Sequence, residues 1–541
     1  MDTEPVYGID LGTTYSCIAR VDENSGRPIV LTNSDDERTT PSVVLFEDES
    51  TRVVGSQAKN TAMLDADNVV EMVKRNMGSA DWRRTFHGRD YSPEEVSSYI
   101  LRRLVDDVEQ TEGSRPRRVV ITCPAYFLIP QREATAAAGK IAGLEVLEVI
   151  NEPTAAAIAY GLENEGDQTV LIYDLGGGTF DVTVVKVESG SVTVVATGGD
   201  HELGGRNWDE RVVAEAAAFW MRETGSGDDP ADSPDTLQEL WLRAEEVKRA
   251  LSTRPQARIA ISHAGSLVAM TLTRERFDEL TRPLLENTIT YTRSVIETAK
   301  ELGQPTVDRI LLVGGSTKMP QVRERLEAEF GIEVVSFEPD HAVAKGAAFY
   351  GQNLVIKGEI DELVDQGGSR EKAQEEVAAR NGMLPAAVRR IDEITVTNVA
   401  SHSFGIVTVE PDDPAKEFIS NLVLAQQPLP FTHTGTFGTI QADQPTVDLR
   451  VVENDFRTER AEIEKGLEVG NAVLELASGL PKGAPIEVTF ELNQEGRLRI
   501  TGRDMAATGK TVTAEIEVGG ALAGDELKKA VEHARSVSVI K

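Results

Sequence analysis

The chain has 541 residues, 40% of them hydrophobic and 27% charged, enough for three or four folding units with sizeable cores and too apolar for wholesale disorder. Its 56 lysines and arginines stand against 89 aspartates and glutamates, a net charge of −33 that repels phosphate backbones and anionic lipid and argues against nucleic-acid and membrane partners. A nucleotide in such a field has to be held by backbone amides, a metal and a few placed cations. Cys17 and Cys123 lie in apolar runs and read as buried, inert thiols rather than a disulfide framework. The histidines show no zinc-binding spacing. Met1–Pro5 lacks the basic and apolar segments of a signal peptide, and no apolar run reaches the ~18 residues of a membrane helix, so a cytoplasmic protein is expected.

In chain order, residues 1–353 alternate strand-like and helix-like segments. Strands are expected at Val6–Asp10, Val119–Thr122, Thr169–Asp174, Val182–Val187 and Arg309–Val313, and helices at Pro93–Thr111, Ile129–Ala142 and Arg274–Leu302. This alternation predicts an α/β unit with central sheets. Residues 354–394 are charged, helical in pattern and thinly apolar, which reads as a solvated helical linker. From 395 to 520 the period becomes two, as in Gly405–Val409, Thr446–Val451, Ile486–Leu492, Leu498–Thr501 and Thr511–Val518, predicting an antiparallel β-sandwich. A short helix, Ala523–Arg535, occupies the final segment, 521–541.

Two segments repeat one pattern. Ile9-Asp10-Leu11-Gly12-Thr13-Thr14 and Tyr173-Asp174-Leu175-Gly176-Gly177-Gly178-Thr179 each read as strand, tight turn, strand, with Asp10 and Asp174 lying 164 residues apart. Glycines let backbone approach a ligand, turn N–H groups converge on an anion, and an opening aspartate suits a hydrated cation bound to phosphate. One such turn is an ordinary hairpin; two suggest a duplicated unit with a nucleotide phosphate between its halves. Val313-Gly314-Gly315-Ser316-Thr317 is a third turn, either a plain strand exit or a nucleoside-facing loop. Gly509-Lys510-Thr511 resembles the end of a P-loop, but Asp504 stands where that motif needs glycine, so a hairpin is the better reading. Thr154 is a candidate helix cap, Glu152 a candidate for positioning water, and Lys74, on spacing alone, a surface lysine.

Five segments taken together resemble the DnaK or heat-shock-seventy chaperone family: Ile9–Ser16, Cys123–Phe127, Ile150–Ala157, Asp174–Asp181 and Val313–Thr317. They fall in order between residue 6 and about 350, and Ile486–Ile500 resembles that family's peptide-binding sandwich more loosely. The resemblance implies an actin-like two-lobed ATPase domain, a β-sandwich and a truncated lid helix. It implies hydrolysis of ATP to ADP coupled to capture and release of unfolded or extended polypeptide.

Carried onto this sequence, Gly12, Thr13, Thr14, Gly176, Gly177, Gly178 and Thr179 would cradle the phosphates. Asp10, Asp174 and Asp181 would hold Mg2+ and K+, Lys74 would position the attacking water, and Glu152 would hold the water shell; Lys74, Glu152, Asp174 and Thr179 form the implied catalytic set. Glu245, Lys248, Arg249, Ser252, Gly314, Gly315, Ser316, Lys318 and Asp340 match nucleoside contacts. Pro124 and Arg132 match a relay between domains, and Ile406, Val423, Phe437 and Val447 align with the apolar peptide groove, although each reads equally as sandwich core.

Implied partners are polypeptide clients and a nucleotide-exchange factor. Glu148 reverses the charge of the arginine that meets J-domain co-chaperones and argues against that partnership. The family's apolar linker is replaced by the charged stretch, its Gly-Gly-Glu-Asp motif reads Gly204-Gly205-Arg206-Asn207, and its adenine-stacking arginine reads Lys318. A small-molecule kinase of the same superfold, or a nucleotide-gated scaffold with little chaperone activity, are the alternatives.

Overall fold

The computed structural model describes residues 4–62, 65–164, 166–188, 190–410, 413–494, 496–505, 511–515 and 522–541. Residues 516–518 of the last expected strand, and Gly509 and Lys510 of the P-loop look-alike, lie outside the described residues.

The duplication foreseen from the two glycine turns is visible in the sheets. In the first, Glu145–Asn151, Arg118–Cys123, Val6–Asp10, Tyr15–Val21 and Pro28–Val30 lie in that order. The first three strands run parallel and the last three antiparallel. In the second, Glu333–Ser336, Arg309–Val313, Gln168–Leu175, Phe180–Glu188 and Ser191–Asp200 repeat that order and those directions. Each glycine turn therefore joins the central strand to its antiparallel neighbour, at equivalent places in two equivalent sheets.

Local chemistry explains the helices. Ser92 Oγ accepts the Glu95 N–H at 3.3 Å and Glu95 Oε2 accepts the Ser92 N–H at 3.1 Å, a reciprocal cap that opens Pro93–Glu112, while Gly113 at φ 76° ends it. Glu152–Glu163 and Ala342–Asp365 cross between the sheets, and a Cβ on Gly346 would sit 1.7 Å from the Ala155 carbonyl oxygen, so only glycine permits that approach. Thr154 is not a cap. Glu152–Glu163 begins after Asn151 with no side-chain cap, and the Thr154 hydroxyl donates to Asn398 Oδ1 at 3.1 Å.

Residues 354–394 depart from the solvated linker expected of them. Ala342–Asp365 continues without a break past residue 354, followed by Arg370–Arg380 and Pro385–Glu393. Val377, Val388 and Ile391 are fully buried against the second sheet, in one cluster with Val187, Val192 and Val194. They are the inward faces of two successive short helices, Val377 on the first and Val388 and Ile391 on the second, beneath charged outer faces. Thr395–Thr397 then joins the second sheet as a sixth strand, parallel to Ser191–Asp200.

Beyond it, a five-stranded and a four-stranded antiparallel sheet share one core, with Ile406, Val423, Leu449 and Val451 from the first and Ile486, Val488, Phe490 and Ile500 from the second. The period-two pattern supplied those inward faces. The final helix, Gly524–Ser536, does not cover these sheets. It packs Ala530 and Ala534 against Ile141, and Ser538–Ile540 pairs in parallel with Thr51–Val54 of the N-terminal part. Among the described residues no helix is long and apolar enough to cross a membrane.

Candidate nucleotide site

A cavity of about 550 Å³ opens between the two six-stranded sheets, and both glycine turns reach it. The turns touch each other. A Cβ on Gly177 would sit 1.8 Å from Thr14 Oγ1, and one on Gly178 would sit 2.4 Å from Thr13 Cγ2. Glycine at both positions is what lets two sets of turn amides face one space.

Asp10 and Asp174 close the floor, at the ends of the two central strands. Lys74 enters from a short helical turn, Val73–Asn76, preceded by Met72 at φ 58°. A left-handed methionine is rare and here turns the chain so that the lysine points inward. Its ammonium forms a buried ion pair with Glu152 Oε1, the side chains being 5% and 9% exposed. A surface lysine is thus excluded.

The floor is overloaded with negative charge. Burial, followed by Glu152, pushes Asp10 up to about 7 and Asp181 up to about 8, and the same causes hold Asp174 well above the ordinary carboxylate range. For Lys74 burial works toward the neutral amine, but Glu152 and Asp10 outweigh it and hold the ammonium above its usual range. Among the described residues no three acidic, imidazole or thiol groups converge closely enough to ligate a metal directly. The donor set instead suits a hydrated hard cation, which keeps its waters and whose charge would offset these acids.

Most of the expected contacts line the cavity. Gly12, Thr13, Thr14, Gly176, Gly177 and Thr179, expected at the phosphates, line it. So do the residues expected at the nucleoside: Glu245, Lys248, Arg249 and Ser252 from the helix Pro234–Leu251 and its end, and Gly314, Gly315, Ser316, Lys318 and Asp340. Two do not line it. Gly178 lies beneath Thr13 and gives its carbonyl to Arg75 Nε at 3.0 Å; Asp181 is buried behind the floor, accepting the Tyr126 N–H at 3.2 Å. Lys318 is paired with Asp340 rather than standing open.

Pro124 is buried at the end of Arg118–Cys123, and Arg132 donates to the Val149 carbonyl at 2.9 Å and to Asn151 Oδ1. Arg132 also borders a small cavity shared with Asn398, His402 and Glu453, where the Ile129 N–H donates to Glu453 Oε2 at 3.0 Å. The segment around Ile129 and Arg132 therefore meets the antiparallel sheets at Asn398, His402 and Glu453. The groove residues fare differently. Ile406 and Val423 are 3% and 0% exposed within the core of the antiparallel sheets and offer no surface to a ligand, whereas Phe437 and Val447 are half-buried.

Sequence reasoning missed Lys59, Asp209 and Arg206. Lys59 bonds Glu245 Oε2 at 2.6 Å and Asp209 bonds Lys248 at 2.8 Å, links between segments far apart in sequence. The substitution of Arg206 into an otherwise acidic motif was the one signal that pointed to it. The family model described as Hsp70 protein matches residues 6–84 and 80–539. With that match spanning nearly the whole chain, and with paired turns, buried lysine and acidic floor gathered in one cleft, the chain belongs to the Hsp70 protein family.

Proposed function

We propose that the chain is a DnaK-like chaperone ATPase of the cytoplasm, hydrolysing ATP to ADP and phosphate and coupling that cycle to capture of extended polypeptide. The observation that carries the reading is the buried Lys74–Glu152 pair set between two face-to-face phosphate turns and above Asp10 and Asp174. Hydrolysis of a phosphoanhydride needs positioning and charge neutralisation more than covalent chemistry. Turn amides and Thr13, Thr14 and Thr179 would bind the phosphates, and Lys74 would orient the attacking water. Asp10 and Asp174, with Glu152, would hold Mg2+ and K+ through water, with Asp181 adding negative charge from behind the floor; bound Mg2+ supplies charge neutralisation of the terminal phosphates.

In this reading the two six-stranded sheets are the lobes of an actin-like domain and the two antiparallel sheets are the peptide-binding sandwich. Phe437 and Val447 supply its apolar contact, with backbone pairing at Phe431–Gly438, which lies at the edge of its sheet. A nucleotide-exchange factor would be its partner in the cycle, and Glu148, accepting the Val149 N–H and lying 3.8 Å from Arg497, would not present the cation that meets a J-domain.

The test is ATP turnover measured with and without an unfolded peptide, beside a panel of sugars. Stimulation by peptide is expected. Phosphorylation of a sugar would instead identify a kinase, and no turnover at all would leave only the scaffold reading.

A further inference from the structure

Six lysine and arginine side chains line the cleft. Five are paired with carboxylates: Lys59 and Arg249 with Glu245, Lys74 with Glu152, Lys248 with Asp209, and Lys318 with Asp340. Of these six, Arg206 has no carboxylate within ion-pair distance among the described residues. In a chain of net charge −33 that is an unusual cation to leave unmatched.

Arg206 is also preorganised. Its guanidinium lies over the Trp241 ring, 3.4 Å from the centroid, which fixes the plane and leaves the N–H fork to bond elsewhere. Its place is the phosphate end of the cleft. The Arg206 N–H donates to the Gly177 carbonyl at 2.8 Å and the Gly205 N–H to the Gly176 carbonyl at 2.9 Å, so the first turn of Gly205–Thr224 is laced to the second phosphate turn. A Cβ on Gly204 would meet Gly178 backbone at 2.5 Å, which presses that turn against it. Arg75, next to Lys74, reaches the same spot from the other side of the cleft, donating to the Gly178 carbonyl and to Asn207 Oδ1 at 2.8 Å. Two guanidinium groups so placed repel each other, and an anion between them and Lys74 removes the repulsion. A planar guanidinium suits a phosphate oxygen pair better than an ammonium does.

We propose that Arg206 is a second cation for the terminal phosphate, supplied from the side of the cleft opposite Lys74, so that the site distinguishes ATP from ADP by a charged contact. The assignment rests on the nucleotide reading above and goes beyond it by naming the residue that reads the third phosphate. Trp241 is then a positioning residue, acting through the stack.

Competition binding of ATP and of ADP, each with Mg2+, to the full chain and to Arg206→Gln, Arg206→Lys and Trp241→Leu tests it. Loss of one charged hydrogen-bonding group lowers affinity on the order of tenfold to a hundredfold. Arg206→Gln is expected to weaken ATP by that factor and ADP by far less; Arg206→Lys restores part of the preference, and Trp241→Leu loses an intermediate share. The half-buried position makes all three compatible with folding, and an unchanged ADP affinity verifies this within the same assay. An unchanged ATP-to-ADP ratio in Arg206→Gln, with the parent binding both nucleotides, overturns the assignment alone. Equal weakening of both also overturns it and makes Arg206 a structural support of the cleft rather than a reader of the third phosphate. A parent that binds neither nucleotide overturns the nucleotide reading as well.

Discussion

Replacing Lys74 by methionine removes the ammonium while keeping most of the volume of its stem. Both partners of the Lys74–Glu152 pair are almost wholly buried, so the substitution strands a carboxylate rather than releasing it to water. Breaking a buried pair in this way costs about 3–5 kcal/mol when the remaining group stays charged. Proton uptake limits that cost, because Asp10 beside it already titrates near 7 and each pH unit is worth about 1.4 kcal/mol. For the lysine itself the folded value is raised, so its charge stabilises the fold below its ordinary range and that contribution is lost only as pH rises through the folded value. The variant should therefore be less stable than the parent at pH 8 and regain part of the difference at pH 6. The chemistry loses more. One preorganised charge facing the reacting centre is worth about 10²–10³ in rate. Single-turnover ATP hydrolysis beside equilibrium binding of ATP with Mg2+ separates the two effects: nucleotide still binds, and the hydrolytic step falls by that factor. A rate within about threefold of the parent refutes the role given to Lys74.

Asp10→Asn and Asp174→Asn should each lose the Mg2+ dependence of nucleotide binding, read by calorimetric titration with and without the metal; unchanged affinity in both removes them from the ion's shell. Ile391→Ala, at a site with 0% exposure, should cost about 2–5 kcal/mol in a urea titration, whereas a solvated linker would respond by less than about 0.5 kcal/mol. His402, bonded through Nδ1 to Asp455 Oδ1 at 2.8 Å and facing Tyr126 and Glu453, is held above its usual value because Asp455 and Glu453 outweigh burial. The contact is then strongest below pH 6.5 and fades as pH rises through the folded value, and ionisation of Glu453, which burial pushes up, acts in the same direction. Protection factors at residues 125–129 and 398–404, taken relative to intrinsic exchange, should fall as pH rises above 6.5 in the parent, and a similar fall in His402→Gln would exclude the histidine.

Which features could be read from the sequence follows from the range of the interactions. The glycine turns, the helix Pro93–Glu112 and the period-two strands are written in neighbouring residues, and all three appear where local chemistry put them. Lys74 looked like a surface residue because its partner, Glu152, is 78 positions away and nothing local predicts the pair. The inward faces carrying Val377, Val388 and Ile391 were too narrow to stand out beneath so many charges, and their burial depends on a sheet built from residues 168–200. The pairing of Ser538–Ile540 with Thr51–Val54 spans almost the whole chain. Ile406 and Val423 had the alternation of core and groove alike, and only the packing of the second sheet onto the first decides between them.

Coupling between cleft and sandwich is the central claim, and stopped-flow release of a fluorescent peptide, run in ADP and after mixing with ATP, tests it most directly. Because Gly524–Ser536 packs on the N-terminal part and, among the described residues, does not lie over the antiparallel sheets, release in ADP should be fast, with the low affinity appearing in the off-rate. ATP should accelerate release further in the parent, the rate decaying as ATP is turned over, whereas in Lys74→Met, which binds ATP without hydrolysing it, the accelerated rate should persist. Peptide release that is identical with ADP, with ATP and without nucleotide would contradict the account.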